Sequence, residues 1–118
     1  VTYPLSQTKS FTLSTGATAL SAVVDIEDWV YTGVETSTGW TTAVANLSIR
    51  VGNATGSLRE LSNTTGGVQR LRSVGASKAF DLGTLLAPFK YVQFRGEGST
   101  FGASASTGER TLKIHLKR

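Results

Sequence analysis

The sequence predicts an all-β domain, a two-sheet antiparallel sandwich of jelly-roll type. Three observations predict it. Apolar residues recur with a period of two along most of the chain, and turn signals rich in glycine and asparagine separate the alternating stretches. No stretch pairs a strand pattern with a following helix pattern, so a parallel α/β sheet is excluded. An immunoglobulin-like sandwich or a closed barrel is the alternative architecture, because strand order cannot be read from alternation alone.

Taken in order, residues 1–10 carry Pro4 and few apolar anchors and read as an N-terminal arm; 11–118 form the sandwich. Phe11 and Leu13 open the first alternation, which Ser14-Thr15-Gly16 breaks. Leu20, Ala22, Val24 and Ile26 form the next. Trp29–Val34 is a third strand, with Trp29 and Tyr31 on one face, and Ser37-Thr38-Gly39 ends it. A long strand then sets Ala43, Ala45, Leu47, Ile49 and Val51 against Asn46, Ser48 and Arg50. Gly52–Gly56 and Asn63–Gly67 read as hairpin connections, since glycine and asparagine tolerate positive φ. Leu82–Phe89 is the one place where a short helical turn is expected, capped by Asp81 and stopped by Pro88. Val92 and Phe94 alternate with Gln93 and Arg95, and Gly96–Gly108 reads as a loop. Finally Leu112, Ile114 and Leu116 alternate with Lys113, His115 and Lys117, giving one apolar and one cationic face.

A chain of 118 residues suits one domain. With no cysteine, disulfides and thiolate metal sites are excluded, and packing must supply the stability. The start, Val1–Leu13, has no continuous apolar region of the kind a signal peptide needs, and Val1 fits behind a trimmed initiator methionine. No stretch approaches the roughly 20 apolar residues of a membrane helix, so a soluble protein without a membrane partner is expected. The net charge of +4 comes from 12 basic and 8 acidic residues. The basic residues are spread along the chain and concentrate only at Lys113, Lys117 and Arg118. That distribution fits solvated strand faces rather than a nucleic-acid partner.

Catalysis has little to work with. The single histidine, His115, is on the outward side of the last strand, away from any serine–carboxylate arrangement. Asp25, Glu27 and Asp28 crowd one segment, but without the loop spacing and central glycine of a calcium site. No catalytic residue, metal ligand or cofactor is assigned, and the expected class is a non-enzyme. The glycines at 96, 98 and 102 precede no phosphate-binding helix. Trp29 and Trp40 suit either a core or a sugar-stacking platform. Asn46, Asn53 and Asn63 each open a glycosylation-type tripeptide, as expected by chance in a chain rich in serine and threonine.

The second half resembles small jelly-roll structural proteins of tailed bacteriophages, of the capsid decoration (cement) or head-fibre type. The likeness rests on the strand Thr42–Val51, the short strand Gly56–Leu61, and Lys78–Leu82 leading into Leu85–Phe89. It continues through Lys90–Gly96 and ends with Glu109–Leu116. It covers roughly Thr41 to Arg118, and departs from the family pattern at Gly52–Thr55, where acidic or glycine-rich turn residues are usual. The resemblance implies a virion component, made in the host cytoplasm and seated on the capsid surface. It would decorate and stabilise the head as a homotrimer bound to the major capsid protein. A carbohydrate-binding module that recognises a surface glycan is the alternative. Tyr3, Leu5, Trp29, Trp40, Arg70, Arg72, Lys117 and Arg118 are the expected capsid or subunit contacts.

Overall fold

The computed structural model describes residues 6–13, 20–40, 44, 46–97 and 111–118. Among them are nine strands and no helix: β1 (Ser6–Thr12), β2 (Val24–Asp25), β3 (Tyr31–Thr36), β4 (Asn46–Gly52), β5 (Arg59–Glu60), β6 (Arg70–Leu71), β7 (Ala79–Gly83), β8 (Tyr91–Glu97) and β9 (Thr111–Lys117). One sheet has the order β1-β9-β3-β7, and the other has β2-β8-β4-β5 with β6 also on β4. Every pairing is antiparallel.

β8 runs along one edge of β4 from Asn46 to Gly52, so β5 and β6 must share the other edge. β5 pairs there with Arg50 and Val51, and β6 with Leu47 and Ser48. Together they make one strand position, interrupted by an excursion that the Ser62–Val68 bridge closes. With those two counted as one, the strands pair first to last: β1 with β9, β2 with β8, β3 with β7, β4 with β5/β6. This is a long hairpin wrapped so that its arms alternate between two sheets, the jelly-roll order.

Period-two alternation places the core between the sheets. Val34, Leu112, Ile114 and Leu116 enter from the first sheet, and Leu47, Ile49, Val92 and Phe94 from the second, each essentially inaccessible to solvent. Each such side chain stabilises the fold by roughly 1.5–3 kcal/mol relative to exposure. Phe11 stacks on Phe94 at 5.8 Å between ring centroids, tying edge strand β1 to the opposite sheet. Lys9, which shares the inward side of β1, donates from Nζ to the Asp25 carbonyl at 3.1 Å. An inward-turned lysine also discourages edge-to-edge association.

Three expectations are corrected. Residues 6–10, read as part of an arm, belong to β1 and pair in unbroken register with β9, Ser6 opposite Lys117 through Thr12 opposite Thr111. The segment 82–89 forms successive turns, closed by Leu85 N–H to Leu82 O, Ala87 N–H to Thr84 O and Phe89 N–H to Leu86 O, each 3.0 Å. Gly83 at φ +53° is incompatible with a right-handed helix, and the Asp81 carboxylate accepts from Gly83 N–H instead of capping one. Lastly, Gly96 belongs to β8 and not to a loop. A Cβ there would meet Leu13 Cδ1 at 3.1 Å and Val44 Cγ1 at 3.2 Å, so glycine lets the core close over the strand.

Candidate docking face of the four-stranded sheet

The outward side of the first sheet is built by register. Thr8, His115, Gly33 and Asp81 lie in one row across β1, β9, β3 and β7; Ser6, Lys117 and Tyr31 lie in the row beside it. A third row holds Ser10, Lys113, Glu35 and Ala79. His115 joins three strands: Nδ1 is 3.0 Å from Thr8 Oγ1, and Nε2 is 3.2 Å from Glu35 Oε1. Between the β9 side chains and β7 lies a shallow groove of about 350 Å³, bordered by Tyr31, Gly33, Asp81, His115 and Lys117. Its surface is mostly apolar.

Tyr31 is 52% exposed, which makes it the most exposed large apolar side chain among the described residues. Trp29, expected on the same face, is buried. The chain turns at Ile26–Trp29, where Trp29 N–H reaches Ile26 O at 3.1 Å and Asp28 takes φ 71°. The alternation therefore restarts at Tyr31, and the two aromatics part. The Arg118 guanidinium covers the Trp29 ring at 4.8 Å from its centroid.

The other expected contacts divide in the same way. Trp40 is 5% exposed and donates from Nε1 to the Val44 carbonyl at 3.0 Å, so neither tryptophan offers a platform. Arg70 Nε donates to Glu97 Oε1 at 2.8 Å, and Arg95 Nη1 approaches Glu97 Oε2 at 3.4 Å; that carboxylate is wholly buried. Arg70 is thus committed to a buried charge. Arg72, Lys117 and Arg118 are exposed. Tyr3 and Leu5 lie outside the described residues.

The remaining polar clusters have local uses. Asp25 Oδ1 accepts from Glu27 N–H at 2.9 Å, and Glu27 pairs with Lys90 at 3.3 Å. That bond to Glu27, with the neighbouring Tyr91 adding to it, holds the Lys90 ammonium above its usual pKa. Among the described residues no three His, Cys, Asp or Glu side chains converge. Asn46, Asn53 and Asn63 each accept backbone N–H groups through Oδ1, from Ser73, from Lys90, and from Thr65 and Gly67 respectively. Those asparagines organise turns and connections.

The fold has a solved counterpart. The crystal structure of the SPBc2 prophage-derived protein YomS superimposes with a TM-score of 0.59, covering 98% of this chain and 97% of that one. Identity over the match is 17%, so the likeness speaks for the fold. No protein-family model matches the sequence, and no curated protein does.

Sequence reasoning missed Tyr31 and Asp81 as neighbours, because pairing β3 with β7 requires knowing the wrap. One signal was present: Gly33 interrupts an otherwise well-patterned strand.

Proposed function

We propose that the chain is a structural component of a bacteriophage particle, an accessory protein that decorates or cements the head surface. The observation that carries this reading is the end-to-end fold likeness to a prophage-derived protein. The resemblance of residues 41–118 to phage decoration and head-fibre proteins supports it independently. In this reading the chain is not an enzyme, its partner is the major capsid protein, and it sits on the capsid surface after synthesis in the host cytoplasm.

A homotrimer suits such work. A cyclic oligomer matches local symmetry in a shell, and three modest contacts made together hold far more tightly than one. The exposed cations Arg72 and Lys117 and the Tyr31 ring are the contact residues favoured by exposure. Light scattering on the purified protein, followed by sedimentation with empty heads, tests the reading. A trimer that co-sediments at a fixed ratio supports it, and a monomer that leaves the heads bare contradicts it.

A second reading, a carbohydrate-binding module, is favoured by one observation. The exposed Tyr31 side chain lines one mostly apolar groove together with Asp81 and Lys117. Aromatic faces with flanking hydrogen-bonding groups suit sugar rings, which are apolar on one face and hydroxylated at the rim.

A further inference from the structure

Gly33 sits where the fold does not require glycine. It lies within β3, an interior strand paired on one side with β9 and on the other with β7. Glycine in such a position weakens a strand and commonly marks the close approach of a ligand or another backbone. Its φ is not in the left-handed region; Gly66 and Gly83 are the described glycines that are. Nor is it crowded, because the nearest atom to a Cβ at this position would be Phe80 O at 3.4 Å, an ordinary contact. The register shift between Thr32 and Gly33 therefore tolerates a side chain. What the missing side chain does is leave the floor of the groove open between the β9 and β7 walls.

We propose that this groove is a saccharide-binding site, in which a hexose ring lies over Gly33 against the Tyr31 side chain. The Asp81 carboxylate and the Lys117 ammonium bond its hydroxyls, with the His115 ring as a fixed wall. The parts are pre-organised. Asp81 Oδ1 is held by Gly83 N–H at 2.7 Å, which orients the carboxylate and leaves Oδ2 to accept from a hydroxyl. His115 is fixed from both sides by Thr8 and Glu35, so little ordering remains for a ligand to impose.

Charge and backbone chemistry argue for a sugar over other occupants. An anion on this face meets Asp81, and a cation meets Lys117, whereas hydroxyls both donate and accept. An extended peptide seeks unpaired strand edges, and the β3 backbone is paired on both sides.

This inference rests on the carbohydrate reading above, and the experiment separates the two. The full-length protein, labelled with ¹⁵N, is titrated with glucose, galactose, mannose, N-acetylglucosamine and their soluble oligomers. Saturable amide shifts in the millimolar range are expected at Tyr31, Gly33, Asp81 and His115 with at least one of these. Gly33→Ala adds a Cβ at ordinary contact distance, and Gly33→Val suits a strand and narrows the groove further. In variants whose spectra stay native elsewhere, affinity should fall by about tenfold or more with Val. Tyr31→Ala should weaken binding by a similar factor while the rest of the spectrum is unchanged. Sugar binding that survives Gly33→Val moves the site elsewhere and overturns this inference, leaving the carbohydrate reading intact. Absence of binding by every sugar overturns both. Shifts on this face with a capsid-protein fragment but with no sugar overturn it in favour of a protein-docking face.

Discussion

Replacing Arg70 with alanine separates a structural role from a contact role at one residue. Its partner carboxylate, Glu97, is wholly buried, and the Arg70 side chain is only 15% exposed, so solvent screens the pair little. Removing one member of a buried ion pair typically costs 3–5 kcal/mol, because the remaining charge is left desolvated. Arg95 stays within 3.4 Å of Oε2 and offsets part of that loss, which places the expected cost near the lower bound, about 3 kcal/mol. For a domain of this size that corresponds to a fall in melting temperature of about 10 °C or more. Urea unfolding followed by tryptophan fluorescence suits the measurement, since Trp29 and Trp40 are both buried. Arg70→Met combined with Glu97→Leu should recover part of the loss: the buried carboxylate goes with Arg70, while Arg95 gives up its bond to it. A cost below about 1 kcal/mol for Arg70→Ala, typical of exposed pairs, would refute the assignment. Unaltered stability with lost particle binding would return Arg70 to the surface contacts.

Trp40→Phe should cost about 1–3 kcal/mol by leaving the Val44 carbonyl without its indole donor, read as a lower urea midpoint with unchanged slope. Gly96→Ala should cost about 1–3 kcal/mol by overpacking against Leu13 and Val44, and Val44→Ala in the same chain should relieve part of it. The Lys90–Glu27 pair contributes only while Lys90 is charged, and its pKa is raised in the fold. Its contribution is therefore complete below the usual lysine value of 10.5 and lost as pH rises through the folded-state value. Melting curves of the native protein and Lys90→Met should differ slightly near neutrality and converge in strong alkali.

How much of this was legible in the sequence follows from which interactions are local. The Leu112–Leu116, Leu47–Val51 and Val92–Phe94 alternations are properties of single strands; each sets its apolar residues into the core, although β4 also buries Asn46 and Ser48, which were expected on a solvent face. The pairing of β1 with β9 joins the two ends of the chain, and Ser6–Ser10 carry no apolar pattern to reveal it. The burial of Trp29 depended on one left-handed residue, Asp28, which reset the alternation before Tyr31. Gly96 looked like the start of a loop because glycine is ambiguous between a turn and a tightly packed strand. The commitment of Arg70 to Glu97, 27 residues away, was invisible for the same reason as the groove over Gly33. Both assemble across strands whose neighbours are set by the wrap of the hairpin.

The most direct test of the proposed role is electron cryomicroscopy of empty phage heads, with and without the purified protein added. Extra density shaped like this sandwich, repeated at symmetry-related positions on the head surface, is the predicted result. Heads that remain indistinguishable after addition would contradict a decorating role.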